Sequence, residues 1–171
     1  ELGCIDGIVT GPINKEAINL AGCKYPGHTE LLADLTHSKE VGMMILGGPL
    51  KIMFVTTHVA VRDLSMALTR ERVGRTIRLA HRALREYFGI ARPKIGVAAL
   101  NPHAGEAGLF GDEERRNILP AARQARAAGI HASDPLPADT LFGKAVRGDY
   151  DGVVAMYHDQ GLIPLKLVAF G

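Results

Sequence analysis

The sequence contains no tryptophan, and aromatic residues make up only 5% of its 171 residues. Proteins that bind single-stranded nucleic acid stack bases on aromatic side chains, so this composition gives no sign of a stacking surface. The formal net charge of +2 is too small to indicate attraction to nucleic acid or to a membrane surface. We therefore expect neither nucleic acid nor a membrane among the partners of this chain.

Long apolar runs and clustered cysteines are also missing. No run approaches the roughly 20 apolar residues of a transmembrane helix, and the N-terminus has no signal-peptide pattern. Cys4 and Cys23 belong to no CxxC or Cys/His cluster. They could form a disulfide or a redox pair, but two reduced thiols in a cytosolic protein are favoured on compartment grounds. The expected location is the cytoplasm.

Common nucleotide-binding and serine-hydrolase motifs are absent as well. The sequence has no GxGxxG, no Walker motif and no GxSxG elbow. The glycine-rich segment GEAGLFGDEE (105–114) lacks the required spacing, and its acidic residues would repel a phosphate at the start of the following helix. We interpret it as a mobile flap beside His103. Glu113 and Glu114 are expected in the first helical turn, where the helix dipole favours negative charge.

Apolar runs alternate with helix-like segments, which predicts an α/β fold with a mixed, largely parallel sheet and helices on both faces. Residues 42–46 and 51–57 form the expected hairpin around Gly47-Gly48-Pro49. A long amphipathic helix is predicted from Thr69 to Phe88 and shorter ones at 29–35 and 138–147. The chain starts without methionine and stops inside the apolar run LKLVAFG. We therefore expect residues 1–171 to be an internal fragment whose N- and C-terminal flanks are missing.

Three histidines follow three separate apolar runs at similar positions. His58 ends KIMFVTTH, His103 ends KIGVAALNPH and His158 ends GVVAMYH. If the runs are parallel strands, each histidine lies at a carboxyl end, where open α/β sheets bind ligands. Three neutral imidazoles suit Zn²⁺ best, with Co²⁺, Ni²⁺ or Mn²⁺ as alternatives, and leave positions open for substrate. A single buried histidine is more often a core residue, so the pattern alone leaves both interpretations standing.

Polar residues accompany two of these histidines. Asn101 and Glu106 flank His103, while Asp159 and Gln160 follow His158. Metal-bound histidines usually donate their second N–H to such groups. For Asn101 and Gln160, a role in capping turns is an equal alternative.

Three further positions are candidates for substrate binding or catalysis. In PGHTE (26–30), His28 and Thr29 could bind an anion, although helix capping by Thr29 is the simpler interpretation. Asp139 opens a predicted helix and is either its N-cap or a catalytic carboxylate. Lys166 stands in an apolar run, and a buried cation needs an anionic partner such as a substrate phosphate or carboxylate.

The strings TGPINK, GHTE, TTH, LNPHAGE, PADTLF and MYHDQG occur in the same order in the PdxA family, which this chain resembles from about Gly7 to its end. The namesake of that family is 4-hydroxythreonine-4-phosphate dehydrogenase of pyridoxal 5′-phosphate (vitamin B6) biosynthesis. The resemblance implies a fold similar to isocitrate and isopropylmalate dehydrogenases. It also implies NAD or NADP binding without a Rossmann fingerprint.

The resemblance implies a role for each candidate residue. His58, His103 and His158 match the family's metal ligands, and the metal is Zn²⁺, Mg²⁺ or Co²⁺. His28, Thr29 and Lys166 match residues that bind substrate, and we take Asp139 with Lys166 as catalytic candidates. The family forms homodimers whose active site is shared between subunits.

The function implied is metal-dependent, NAD(P)-linked oxidation of 4-hydroxythreonine-4-phosphate at C3, followed by decarboxylation. HDQGLIPLKL differs slightly from the HDQGLPVLKY form of the vitamin B6 enzymes. Relatives acting on 4-phospho-threonate or 4-phospho-erythronate are therefore the alternative, and the GHTE and TGP motifs favour phosphorylated substrates over dihydrodiols. From other functional classes, a metallohydrolase or a non-catalytic metal-binding module remains as a second alternative.

Overall fold

The computed structural model describes residues 7–25 and 27–170 and divides the chain into two compact units, 1–41 and 42–171. The described part of the first unit holds two short helices, α1 (Lys15–Leu20) and α2 (His28–Leu35). Asn14 caps α1 by accepting a hydrogen bond from the Ala17 N–H at 2.9 Å. The predicted cap of α2, Thr29, lies instead in its first turn, because Gly27 occupies the cap position.

A five-stranded sheet forms the centre of the second unit. Its strands are β1 (Met44–Gly47), β2 (Leu50–Phe54), β3 (Lys94–Ala98), β4 (His131–Leu136) and β5 (Gly152–Ala155). The spatial order is β1-β2-β5-β3-β4. β1 and β2 are an antiparallel hairpin, while β2–β5, β5–β3 and β3–β4 are parallel pairs. The prediction of a mixed, largely parallel sheet is confirmed, with the last strand in its middle.

Helices cover both faces of the sheet, as predicted. The faces are covered by α4 (Arg70–Glu86), α5 (Leu119–Ala127), α6 (Ala138–Val146) and α7 (His158–Phe170), and the short helix α3 (Leu64–Ala67) precedes α4. Successive strand residues point to opposite faces. Met53 and Val154 therefore belong to the core that includes α4 and α5. Ile52, Phe54 and Val153 belong to a second core that includes α6 and α7.

The long helix α4 forms where the amphipathic pattern predicts it. The Thr69 hydroxyl accepts a hydrogen bond from the Arg72 N–H at 3.2 Å, which satisfies one of the free donors at the helix start. Val73, Ile77 and Leu84 are fully buried along one stripe of the helix. The helix ends at Glu86, two residues before the predicted end at Phe88.

Two elements differ from the sequence pattern. β4 contains Ser133, Asp134 and Pro135, residues that usually mark a turn, and it was not among the predicted strands. It lies at the edge of the sheet, where a proline without an N–H is tolerated. The apolar run that ends the chain forms helix α7, and Lys166 on it is exposed. The prediction of a buried lysine at Lys166 is therefore wrong.

Two of the excluded features can be checked directly. Within 7–25 and 27–170, no helix is both long and apolar enough to cross a bilayer. Cys23 is a free thiol, and Cys4 lies outside the described residues.

His81 on α4 is expected to make stability depend on pH. Its Nδ1 is buried and has no hydrogen-bond partner among the described residues. Burial, followed by the charges of Arg85 and His131, holds the pKa of His81 below its ordinary 6.5. Below that pH the unfolded chain gains a proton that the folded chain resists, so stability is present above about pH 6.5 and declines as the pH falls.

We expect His81→Gln to reduce this decline. The measurement is the melting temperature of both proteins between about pH 7.5 and about pH 5.5. An unchanged difference between the two pH values would show that His81 is not the group responsible.

Candidate active site at the carboxyl ends of the parallel strands

Four predicted site residues follow the four parallel strands. His58 follows β2, His158 begins α7 directly after β5, His103 follows β3, and Asp139 lies in the first turn of α6 after β4. These strands run in the order β2-β5-β3-β4 and point the same way. Their carboxyl ends therefore form one edge of the sheet, which is where α/β proteins bind ligands.

His58 and His158 form a pair at this edge. Their ring centroids are 5.8 Å apart, because β2 and β5 are neighbours in the sheet. Two imidazoles bound to one zinc ion at ordinary Zn–N distances would have centroids roughly 5 Å apart. The Phe54 ring lies 6.5 Å from that of His158 and is an apolar neighbour of the pair. The separation of the two rings is suitable for a shared metal ion.

Asp159 orients one member of this pair. Its Oδ1 lies 2.6 Å from Nδ1 of His158. A hydrogen bond at Nδ1 leaves Nε2 as the nitrogen available for a metal, which is the usual carboxylate–histidine–metal arrangement. The prediction of a polar partner for His158 is thus met by Asp159.

Gln160, the next residue, has a structural role. It is buried, accepts a hydrogen bond from the Met156 N–H at 2.7 Å and donates to the Ala99 carbonyl at 2.6 Å. Ala99 follows β3 and Met156 follows β5, so this side chain ties the two strand ends together. Of the two roles left open by the sequence, the structural one applies.

His103 lies in an unusual backbone segment. Residues 103–107 all have positive φ, with 52° at His103, 55° at Ala104, 42° at Glu106 and 56° at Ala107. We call residues 102–108 the left-handed turn. This conformation costs an L-residue roughly 1–2 kcal/mol, and a run of several such residues is rare. Strain of this kind persists only where surrounding contacts impose it, and it is concentrated at functional sites.

Two buried carboxylates anchor the base of the left-handed turn. Glu114 Oε1 accepts hydrogen bonds from the N–H groups of Leu100 and Asn101, each at 2.8 Å. The Asn101 amide donates to Glu114 Oε2 at 3.0 Å and to Glu113 Oε2 at 2.7 Å. Both glutamates have less than a tenth of their surface exposed. The expectation that they serve the helix dipole is therefore incomplete, because their carboxylates bind Asn101 and its neighbour.

Glu113 is connected further to the body of the unit. Its Oε1 accepts a hydrogen bond from the Ser65 hydroxyl on α3 at 2.5 Å. The Ser65 bond and, after it, the Asn101 bond lower the pKa of Glu113 from its ordinary 4.5, although burial acts in the opposite direction. Glu113 is thus a stable hydrogen-bond acceptor at neutral pH. GEAGLFGDEE does lie beside His103, but its acidic end is an anchor rather than part of a flap.

A cavity of about 560 Å³ lies beside the turn. Its size is within the range of small-molecule sites. Its polar lining comes from Asn101, His103, Asp139, Asp159 and Gln160, and its apolar lining includes side chains of α6 and α7. Asp139 is exposed and accepts a hydrogen bond from the Thr140 N–H at 2.8 Å, while Pro137 occupies the cap position. Asp139 is therefore not the N-cap, and it is one of the residues that line the cavity.

The three histidines do not form one complete metal site within the described residues. Among residues 7–25 and 27–170, no three His, Cys, Asp or Glu side chains form a group that could hold a metal ion. His58 and His158 are paired, whereas His103 lines the cavity and packs against Phe110 at a centroid distance of 6.3 Å. The prediction of three histidines gathered around one metal ion is therefore not met by this chain alone, which brings only His58 and His158 together.

The remaining predicted substrate-binding residues are not among the residues that line the cavity. His28 and Thr29 belong to the first unit, and Pro26 of their PGHTE motif lies outside the described residues. His28 is half-buried and Thr29 is exposed in the first turn of α2. Lys166 is exposed on α7. Their roles remain predictions from the resemblance.

Comparison with known proteins agrees with the motif order. A family model described as "Pyridoxal phosphate biosynthetic protein PdxA" matches residues 1–171. This chain belongs to the PdxA family. The family membership predicted from the sequence is thereby confirmed.

Relatives with two different names are similar to this PdxA chain. A 4-hydroxythreonine-4-phosphate dehydrogenase of Geobacter metallireducens is 56% identical over 168 residues, covering 98% of this chain and 49% of the relative. A D-threonate 4-phosphate dehydrogenase of Salmonella typhimurium is 52% identical over 168 residues, covering 98% and 51%. The chain spans about half the length of these curated relatives.

A solved structure confirms the fold of this PdxA chain. The crystal structure of 4-hydroxythreonine-4-phosphate dehydrogenase from Klebsiella pneumoniae matches it with a TM-score of 0.88 at 51% identity. The match covers 94% of this chain and 49% of that one. The half that this chain matches therefore has the same mixed α/β architecture.

Proposed function

We propose that this chain carries the metal- and substrate-holding part of an NAD(P)-dependent dehydrogenase acting on a phosphorylated hydroxy acid. The observation that carries the proposal is the edge of the sheet, where His58, His158, His103 and Asp139 follow four adjacent parallel strands. Similar proteins named as dehydrogenases of 4-hydroxythreonine-4-phosphate and D-threonate 4-phosphate support the substrate class. The primary substrate proposed is 4-hydroxythreonine-4-phosphate, in pyridoxal 5′-phosphate biosynthesis.

The metal proposed is Zn²⁺, with Mg²⁺ or Co²⁺ as alternatives. His58 and His158 would supply two of its ligands, and Asp159 would hold the His158 ring in the required orientation. A bound divalent ion would act as a Lewis acid that lowers the pKa of the substrate hydroxyl. His103 is proposed as the third ligand, reaching the metal from a second copy of the chain. We also propose that the protein is a homodimer whose subunits share the active site, located in the cytoplasm.

The side chains on the cavity wall have a proposed role in proton transfer. Oxidation at C3 moves a hydride to the nicotinamide of NAD(P)⁺ and releases the hydroxyl proton. Asp139 is exposed on the cavity wall and is the carboxylate we propose to accept that proton. Lys166, His28 and Thr29 would orient the anionic ends of the substrate, and the 3-keto acid formed would then lose CO₂.

The experiment that tests this function uses the full-length protein that contains this chain. We expect reduction of NAD⁺ or NADP⁺ with 4-hydroxythreonine-4-phosphate and a divalent metal. D-threonate 4-phosphate and 4-phospho-erythronate are the parallel substrates, because a relative named for D-threonate 4-phosphate is 52% identical. A faster reaction with either of those would select the alternative function, a dehydrogenase of 4-phospho-threonate or 4-phospho-erythronate. Hydrolysis of a phosphorylated substrate without NAD(P)H formation would instead indicate a metallohydrolase.

Replacing Asp159 is expected to weaken metal binding without removing a metal ligand. Asp159→Asn keeps the shape but loses the charge that supports the His158 imidazole at 2.6 Å. Loss of such a partner typically costs about 10- to 100-fold in metal affinity. The measurement is Zn²⁺ affinity by competition with a coloured chelator. Asp149→Asn, at an exposed position before β5, is the control and should bind Zn²⁺ as the wild type does.

A further inference from the structure

We propose that Glu113 and Glu114 are positioning residues, which hold His103 in place by fixing Asn101 just before the left-handed turn and by lying against the backbone at Gly105 and Gly111. The proposal rests on the proposed function only for the role of His103 as a metal ligand. The argument that the left-handed backbone is held in place depends only on the contacts of the two carboxylates. Neither glutamate lines the cavity, so their effect has to pass through the turn.

Five hydrogen bonds hold the start of the turn, and they connect Glu113 and Glu114 with Ser65, Leu100 and Asn101 in one cluster. Glu114 accepts from the N–H groups of Leu100 and Asn101, and the Asn101 amide donates to both glutamates. Ser65 donates to Glu113 and connects the cluster to α3. Asn101 has an extended backbone immediately before the turn, and Pro102 follows it with a fixed φ. His103 is therefore two residues from a rigidly held side chain.

The backbone within the turn, at Gly105, and shortly after it, at Gly111, also lies close to the same cluster. Gly111 has a φ of +133°, and a Cβ there would lie 2.4 Å from the Asn101 amide nitrogen and 2.7 Å from Glu113 Oε2. Gly105 has a φ of +81°, and a Cβ there would lie 2.8 Å from Glu114 Oε2. Only glycine allows both approaches. The carboxylates thus accept hydrogen bonds from the backbone before the segment that carries His103, and they leave no room for a side chain at Gly105 within it or at Gly111 after it.

This arrangement explains why two acidic residues are buried beside a strained segment. An L-residue with positive φ returns to an ordinary conformation unless neighbouring contacts prevent it. A carboxylate accepts several hydrogen bonds at once, whereas an amide in its place must present a donor on one side. In Glu114→Gln, one side-chain atom can still accept from Leu100 and Asn101. The second side-chain atom, now an NH₂ group, then faces the NH₂ group of Asn101, and two donors cannot form a hydrogen bond with each other.

The test uses the full-length protein with selectively labelled histidine. The first readout is the NMR resonance of the His103 ring, assigned by comparison with His103→Gln. The second is Zn²⁺ affinity by competition with a coloured chelator. Glu114→Gln is the test variant. Asp112→Asn is the matched control, because it removes a carboxylate that pairs with Arg116 on the same segment but does not contact Asn101.

We expect Glu114→Gln to shift or broaden the His103 resonance and to lower Zn²⁺ affinity by about 10- to 100-fold, as for other groups that orient a ligand. Asp112→Asn should leave both readouts at their wild-type values. A Glu114→Gln protein that melts at lower temperature but keeps its His103 resonance and Zn²⁺ affinity would overturn the proposal. The glutamates would then only stabilise the fold.

Two further results distinguish failure of the positioning role from misfolding of the variant and from failure of the proposed function. If Glu114→Gln does not fold, Glu113→Gln removes a smaller part of the cluster and is expected to change the His103 resonance in the same way. An unchanged resonance in that variant would overturn the proposal. A wild-type protein that neither binds Zn²⁺ nor reduces NAD(P)⁺ would defeat the proposed function, while the His103 resonance would still decide the positioning role.

Discussion

Gly161→Ala is expected to destabilise the protein by about 1–3 kcal/mol, the usual cost of overpacking a core. Gly161 lies on α7 where the helix crosses β2. A Cβ at this position would lie 2.6 Å from Cε1 of Phe54 and 2.9 Å from Cγ2 of Ile52. Neither side chain has free space, since Ile52 is fully buried and Phe54 is 4% exposed. The helix or the strand must therefore move.

The same substitution is expected to disturb the histidine pair. The Phe54 ring packs 6.5 Å from His158, so a displaced ring changes the apolar surroundings of that imidazole. We expect Zn²⁺ affinity to fall together with stability in Gly161→Ala. Urea unfolding measures the free energy of unfolding, and chelator competition measures the affinity.

Gly143→Ala is the matched control for this prediction. Gly143 also lies within a helix, α6, but its added Cβ would come no closer than 3.6 Å to Nη1 of Arg147. Alanine has the higher helix propensity, so we expect unchanged stability or a gain of up to about 1 kcal/mol. Equal unfolding free energies for the two variants would show that α7 does not pack on Phe54 as described.

His158→Ala is expected to abolish stoichiometric metal binding in the full-length protein, and His58→Ala to do the same. The two rings are 5.8 Å apart, and each would supply one of a small number of ligands. The loss should exceed the about 10- to 100-fold effect of removing a partner that only orients a ligand. Metal content after dialysis and NAD(P)H formation are the two measurements, and both should fall together.

His131→Ala is the control for this pair of variants. His131 is exposed and begins β4, so it lies at the opposite end of the parallel strands from the pair. Its loss should leave metal content and activity unchanged. If His158→Ala and His58→Ala retained the wild-type metal content, the pair would not be a metal site.

The amphipathic and strand patterns predicted much of the fold because local residue spacing determines those elements. Thr69 caps α4 where the sequence indicates, and the hairpin of β1 and β2 forms around its glycines. β4 was missed because Asp134 and Pro135 resemble a turn, and only its place at the edge of the sheet makes such a strand possible. α7 was missed because its apolar residues lack helical spacing.

In the candidate site, too, some features could be predicted from local sequence and others depend on tertiary contacts. The position of a histidine after each of three apolar runs was visible in the sequence, and so was the motif order that predicted the family. The roles of Glu113 and Glu114 were not visible, because acidic residues at the start of a helix normally serve its dipole. Their burial against Asn101 depends on how the chain returns after the left-handed turn.

The sequence by itself predicted that His58, His103 and His158 follow the carboxyl ends of strands, because apolar runs alternating with helical segments are typical of an α/β sheet. Only the tertiary structure decided which of them meet. β5 enters the sheet between β2 and β3, so His158 pairs with His58 although they are far apart in the chain. Strand order depends on packing over the whole sheet, and no local pattern encodes it. The left-handed turn that carries His103 likewise lies beside Glu114, whose carboxylate accepts hydrogen bonds from Leu100 and Asn101 just before it.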